Sequence, residues 1–356
     1  MQNSTDGSHC ARGRRIRTVD IRQVRTRVPV LEGQTILEAA LQNGVSFPHG
    51  CRSGRCGSCK SRLIDGQIEM LSHSRFALTD EEKAAGLILA CRAVPKTDTA
   101  VAWLGAGDEA AAVRARMRQG TVVSIDDVTH DIRRVRIRPD GTDALAFFAG
   151  QYADIRFGPS PVRSYSMANR SGDPELEFHI RRVPGGAASG YVHTVLKPGD
   201  RIVLEAPRGS AHLREGHCGP ILCIAGGSGL APIKSIVETA LAHGMRQAIH
   251  VYFGARTERD LYLVDHFEAL TRRHANLAFT TVLSEAQATA RRIGIVTQAV
   301  ADDFPDLANF KVYVAGPPPM VDAAMETAFG RGLNAGDMHA DVFFTPQGQP
   351  PSGAAG

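Results

Sequence analysis

The chain has 356 residues, which at about 150 residues per domain implies two or three domains. Apolar residues make up 43% and charged residues 22%, a balance that excludes a disordered or fibrous chain. Lys and Arg outnumber Asp and Glu by 41 to 37, and a net charge of +4 is too weak for a nucleic-acid surface. No apolar run approaches the roughly 18 residues that span a bilayer, and the basic start Arg12 to Arg15 leads into no apolar signal segment. A cytoplasmic protein with no membrane or nucleic-acid partner is expected, as a monomer. Seven cysteines, an odd number with four in the first quarter, argue against a secreted disulfide framework and for a metal site.

Residues 1–15 are polar and aperiodic and read as a disordered lead; residues 347–356, rich in Gly, Pro and Ala, read as a flexible tail. Residues 16–104 open with short alternating segments that predict a small sheet. A helix follows, with Thr35 as N-cap, Glu38 completing a capping box and Gly44 as its stop; a second, shorter one starts at Thr79 with Glu82 in the reciprocal place. Residues 105–118, small and charged, read as a linker. Residues 119–215 carry strand-like runs between Gly, Pro and Asp turns, the spacing of an antiparallel barrel. Residues 216–346 alternate strand with helix, which predicts a doubly wound parallel sheet.

Within the first segment, Cys51, Cys56 and Cys59 stand in CRSGRCGSC, and Cys91 follows after 31 intervening residues. That C-x4-C-x2-C…C spacing is plant-type [2Fe–2S] ligation. Three thiolates on one loop can wrap two irons, and Gly54 and Gly57 allow the tight turns that aim peptide N–H groups at the sulfurs. The alternative is zinc, but Cys91 has no second Cys or His within four residues to complete a ligand pair. Cys223, in an apolar strand, is expected to be a small buried hydrophobe. Around the cluster loop Arg52, Arg55, Lys60 and Arg62 are basic; they are either a solvated face or a docking surface for an acidic partner.

Further along, Arg163-Ser164-Tyr165-Ser166 places a cation that can grip pyrophosphate two residues before an aromatic on the same strand face. Gly185-Gly186-Ala187-Ala188-Ser189 is a glycine turn ahead of a helix, with a hydroxyl at hand, and can present amides to phosphate. Gly226-Gly227-Ser228-Gly229 joins an apolar strand to a helix, where a dinucleotide can approach the helix N-terminus. Arg256 and Asp260 are placed to meet an adenosine ribose, and Arg256 or Arg259 a 2′-phosphate, the alternative being that either arginine is a surface charge. The run from Gly316 through Pro317 to Met320 ends a strand at the sheet edge where ligands bind.

Taken together, GCRSGRCGSC, THDIRRVRIR, SYSMAN, FHIRRVPGG, AGGSGLAPIKSI and HADVFF resemble the three-domain reductase components of aromatic-ring dioxygenases, closest to the naphthalene and terephthalate types. The resemblance covers about residues 16–345. It implies a β-grasp-like [2Fe–2S] ferredoxin domain of plant type, an antiparallel β-barrel FAD domain and a parallel-sheet nicotinamide domain. Cofactors would be FAD, the cluster on Cys51, Cys56, Cys59 and Cys91, and NADH, with NADPH possible. Arg163 would hold the FAD pyrophosphate, while Tyr165 stacks on the isoalloxazine and Ser166 lies near its reactive edge. Gly186 and Ser189 would cradle phosphate, with His179, Ile180, Val183 and Gly185 as further cofactor contacts. Phe343 would lie against the flavin, as a catalytic residue beside Tyr165 and Ser166; the alternative is that Phe343 and Phe344 both pack in the core. Relatives often carry Cys-Gly where this chain has Ala315-Gly316, so that thiol is missing. The implied function is electron transfer from NAD(P)H through FAD and the cluster to a Rieske-type oxygenase or a ferredoxin. Reductases of monooxygenases or of deoxysugar dehydratases share this architecture, and a non-catalytic cluster carrier would need none of the motifs after Ser160.

Overall fold

The computed structural model describes residues 16–104, 115–141 and 144–343, so the expectations for both termini and most of the linker lie outside the described residues. The first unit contains β1 (Arg17–Ile21), β2 (Thr26–Val30), α1 (Ile36–Gln42), β3 (Lys60–Asp65), β4 (Ile68–Met70), α2 (Asp80–Ala84), β5 (Leu87–Leu89), β6 (Ala93–Pro95) and β7 (Thr99–Trp103). Its sheet runs β2-β1-β7-β3-β5, with β1 parallel to β7 and the other pairings antiparallel. Both capping boxes form as the sequence indicates, Thr35 with Glu38 and Thr79 with Glu82. α1 turns Ile36, Leu37, Ala39 and Ala40 onto the sheet, and the same core holds Cys59 and Cys91.

The second unit has β8 (Arg116–Asp127), β9 (Ile132–Pro139), β10 (Tyr152–Phe157), β11 (Arg163–Ser166), β12 (Leu176–Arg181), α3 (Ala187–Thr194) and β13 (Arg201–Arg208). All its pairings are antiparallel, in the order β11-β10-β13-β8-β9-β12, and a bridge between Met167 and Phe178 links the two ends into a barrel. β8 begins at Arg116, so the expected linker end at residue 118 is corrected: Arg116 to Arg118 already pair with Ala206 to Leu204 of β13. Their charged side chains resemble linker in composition, but alternate residues of a barrel strand face water.

The third unit has β14 (Ile221–Gly226), α4 (Leu230–Ala242), β15 (Ile249–Ala255), α5 (Val264–Arg273), β16 (Leu277–Leu283), β17 (Arg292–Ile293), α6 (Val296–Asp303), β18 (Lys311–Gly316), α7 (Pro318–Gly330) and β19 (Met338–Val342). Every strand is parallel, in the order β17-β16-β15-β14-β18-β19, so the winding reverses between β14 and β18. The carboxyl ends of those two strands therefore bound a crevice, the usual ligand position in such sheets. Cys223 is fully buried in β14, as expected, and burial pushes its thiol pKa up. Among the described residues no helix is long and apolar enough to cross a membrane.

At the crevice the glycines permit close backbone approach. A Cβ on Gly229 would stand 2.1 Å from the Ala315 carbonyl oxygen, and one on Gly226 2.5 Å from Met320 Sδ. Gly229→Ala must push β18 away from the helix start, an overpacking cost of about 1–3 kcal/mol. Thermal unfolding followed by circular dichroism should show a midpoint lowered by several degrees, whereas Gly190→Ala, with open space at its Cβ and no positive φ, should change little.

Candidate functional site

The cluster loop, residues 51–59, is held by its own amides. Cys51 Sγ lies within 3.3 Å of the Arg55 and Cys56 N–H groups and 3.5 Å of that of Ser53. The Cys51 N–H donates to Cys56 Sγ at 3.3 Å, and the Cys91 N–H to Cys59 Sγ at 3.5 Å, so the fourth cysteine joins the other three. Gly54 and Gly57 take φ of +74° and +72°, the left-handed turns the wrap requires. None of the six described cysteines forms a disulfide. Four convergent sulfurs with amides aimed at them suit an iron–sulfur cluster, whose charge those amides stabilise.

The basic residues in and beside this loop bond within the chain. Arg52 reaches Asp154 of β10 at 3.4 Å and lies over the Tyr152 ring, 5.7 Å from its centroid. Arg55 pairs with Asp322 of α7, Lys60 binds Glu82 at 2.6 Å, and Arg62 donates to the Ala85 carbonyl. Arg52 and Arg55 thus find acidic partners within the chain. Arg75 adds a pair with Glu326 of α7, and Ser210 donates to the His49 carbonyl. Burial and the nearby Arg52 charge lower the His49 pKa to about 4, so that histidine stays neutral under this loop. Cys56 and Gly57 also border a cleft of about 360 Å³ among Phe76, Trp103 and Phe329.

On the barrel, Arg163 is exposed and donates to its neighbouring Val162 carbonyl, while Tyr165 packs 5.9 Å from Phe157. Burial pushes the Tyr165 hydroxyl up to about 12. Ser166 is buried, and its Oγ donates to Asp341 at 2.5 Å. Desolvation lifts Asp341 to about 6, with the Ser166 bond opposing that rise and the Cys51 sulfur adding to it. Asp341 thus lies between the cluster loop and the expected flavin edge. The sequence reading missed it; its place two residues before Phe343 on an alternating strand was the available signal. Phe343 follows β19 directly, half-buried, and its N–H donates to the Gly316 carbonyl at 2.9 Å, which joins the end of β19 to the crevice. Phe344 lies outside the described residues.

Several of the expected cofactor contacts have partners within the protein. Both ring nitrogens of His179 are taken by protein, Nδ1 by the Tyr262 hydroxyl and Nε2 by Glu177, each at 3.0 Å, so its side chain is not open to a cofactor. Ile180 points into the barrel core, and its carbonyl meets His193 Nε2 at 2.9 Å. The Ser189 hydroxyl accepts from the Val183 N–H at 3.1 Å, closing the Gly185-Gly186 turn. The first-turn amides of α3, which lack helical acceptors, rather than that hydroxyl, are then the phosphate donors on offer. At the sheet's carboxyl edge, a cleft of about 260 Å³ unites Gly226, Gly227, Arg256, Asp260, Pro317 and Met320, with Asp131 and Arg181 added from the barrel. Ser228, Gly229 and Gly316 are near it in the chain but do not line it. Asp260 accepts from the Thr257 N–H and hydroxyl and from Arg256, which hold its carboxyl below the usual range although burial opposes them.

Comparison with known proteins agrees with this geometry. The 2Fe-2S iron-sulfur cluster binding domain matches residues 19–96, the oxidoreductase FAD-binding domain 119–213 and the oxidoreductase NAD-binding domain 223–326. The chain is 41% identical over 313 residues to the ferredoxin–NAD(P)+ reductase component of naphthalene 1,2-dioxygenase/salicylate 5-hydroxylase systems from Ralstonia sp., covering 88% of this chain and 94% of the relative. It is 35% identical to the reductase component of propane 2-monooxygenase from Rhodococcus jostii, over 92% and 91% of the two chains. A crystal structure of an Amycolatopsis cytochrome P450 reductase superposes with a TM-score of 0.73 at 35% identity, covering 92% of this chain and 98% of that one.

If Arg163 grips the FAD pyrophosphate, Arg163→Ala removes a charged hydrogen bond worth about 1.5–3 kcal/mol, or roughly ten- to a hundredfold in affinity. Titration of apoprotein with FAD should show that loss, and unchanged affinity would remove Arg163 from the site.

Proposed function

The chain belongs to the three-domain ferredoxin–NAD(P)+ reductases that serve multicomponent oxygenases, and from that premise we propose that it carries electrons from NADH to a Rieske-type oxygenase acting on an aromatic ring, directly or through a ferredoxin. The observation that carries this reading is the meeting of three units at one point, where Ser166 of the barrel bonds Asp341 of the nicotinamide domain beside Cys51 of the cluster loop. Bound FAD supplies the conversion between a two-electron hydride donor and one-electron acceptors.

The chain's own residues set the geometry. Arg163 and the first turn of α3 hold phosphate, and the Tyr165 ring offers a flat apolar face. Ser166 fixes Asp341 and so ties β11 of the barrel to β19 of the nicotinamide domain. The Gly226–Gly227 turn and the Pro317–Met320 segment receive the dinucleotide at the crevice, where the Asp260 carboxylate suits a ribose hydroxyl and repels a 2′-phosphate. That charge, with Arg256 already paired to it, supports NADH over NADPH. The likeness to propane monooxygenase reductases supports a second reading, in which the acceptor is the oxygenase of a monooxygenase.

The test is to separate the electron exits. Cys59→Ser should abolish NADH-dependent reduction of cytochrome c while ferricyanide reduction persists with FAD retained; parallel loss of both activities would refute the proposed order. Phe343, held beside Gly316, should cover the flavin until nicotinamide arrives. Phe343→Ala should then change coenzyme affinity and the rate of flavin reduction more than FAD content. Stopped-flow traces with NADH and NADPH measure this, and wild-type values would return Phe343 to core packing.

A further inference from the structure

β12 reads Leu176-Glu177-Phe178-His179-Ile180-Arg181, and alternation sends Leu176, Phe178 and Ile180 into the barrel. Glu177, His179 and Arg181 face the other way; Arg181 pairs with Asp131 of the barrel, while Glu177 and His179 meet the nicotinamide domain. Glu177 lies 3.4 Å from Lys234 of α4. His179, its side chain 0% exposed, lies 3.0 Å through Nδ1 from the Tyr262 hydroxyl. The Tyr262 ring is 5% exposed and stands edge-on to both His179 and Phe253. The same hydroxyl is 3.4 Å from the Gly227 carbonyl, in the turn that lines the coenzyme cleft.

Proton positions follow from the partners. Burial opposes the Glu177 charge, but the His179 bond, Lys234 and Arg136 outweigh it and hold the carboxyl ionised. A carboxylate can only accept, so His179 Nε2 carries the proton towards it. Burial keeps the ring neutral, which leaves Nδ1 as acceptor for the Tyr262 O–H. The Gly227 carbonyl then shares that proton at longer range, a three-centre arrangement. One hydroxyl therefore spans from a barrel strand to the coenzyme turn.

We propose that Tyr262 is a positioning residue for hydride transfer, fixing the Gly227 turn at a set distance from the flavin barrel through its bond to His179. The proposal rests on the reading that the Gly226–Gly229 turn receives the dinucleotide. Hydride transfer needs donor and acceptor carbons and nitrogens near 3–3.5 Å, and small misplacements are costly. Overall docking of the two domains does not depend on this bond. Lys234 Nζ donates to the Ala168 carbonyl at 3.1 Å, and Ser235 Oγ to that of Asn169 at 2.7 Å, both farther along α4. Removing the Tyr262 hydroxyl should loosen the turn while the domains stay together.

The experiment is anaerobic stopped-flow reduction of the full-length holoprotein by NADH. Tyr262→Phe keeps the ring packing and removes the hydroxyl; His179→Gln keeps a donor for Glu177 and removes the Tyr262 partner. Each should lower the limiting rate of flavin reduction by about tenfold, with NADH dissociation constant, FAD content, cluster absorbance and thermal midpoint near wild type. The double variant should be no slower than either single one, because one interaction is removed. Wild-type limiting rates, multiplicative losses in the double variant, or FAD loss in the singles would each overturn the proposal. Failure of NADH and NADPH to bleach the flavin of the wild-type protein would instead overturn the reading of the turn itself.

Discussion

The carboxylate of Asp154, on β10 of the barrel, is the charge that ties the cluster loop to the barrel. It receives Arg52 from the cluster loop at 3.4 Å, Arg208 from β13 at 3.0 Å and the Ser164 hydroxyl at 2.5 Å. A single exposed ion pair is worth little, but this carboxylate is largely buried and serves two guanidinium groups. Arg52 itself adopts φ of +55°, a conformation unfavourable for a side chain of its size, and the Asp154 and Tyr152 contacts offset that cost. On the opposite side Arg55 and Arg75 reach α7 through Asp322 and Glu326. The loop is gripped from both neighbouring units, and Cys51 and Cys56 pack against the apolar core of the nicotinamide domain.

Such docking brings the cluster loop to the flavin side but spends its positive charge inside the chain. An acceptor then meets a loop whose guanidiniums are already paired, and whose nearest opening is the cleft beside Cys56 and Gly57. Electrostatics here orders the protein's own domains, so the surface presented to a partner differs from the one the sequence composition suggests. β19 completes the junction. As the last strand of the parallel sheet, it lies beside β18 and brings Asp341 to Ser166 and Phe343 to Gly316. The Ala315 carbonyl lies against Gly229 at the start of α4, so β18 and that helix approach too closely for any side chain at Gly229.

Strand β12 shows the same economy at the other domain boundary. Its inner residues complete the barrel core, and its outer residues form a polar seam with α4 and Tyr262. Buried charge is tolerable there because each group has partners: Glu177 meets His179, Lys234 and Arg136, while Glu238 meets Lys234 and His266. A seam of this kind fixes one relative position of two domains more sharply than apolar contact, which tolerates sliding.

The sequence alone determined the features that depend on neighbours in the chain. Four cysteines at fixed spacing, two capping boxes, the alternation of the barrel strands and the strand-to-helix rhythm of the last unit follow from local geometry. It misjudged Arg116 to Arg118 because charge on a solvent-facing strand looks like linker, and it could not say where the His179 ring nitrogens point. Only the tertiary structure decided the contacts that join the units: Arg52 with Asp154, 102 residues apart, His179 with Tyr262, 83 apart, and Ser166 with Asp341, 175 apart. Those pairs obey no period along the chain. They exist because the barrel closes, the parallel sheet reverses at β14 and β18, and desolvation makes a polar group at each junction find a partner.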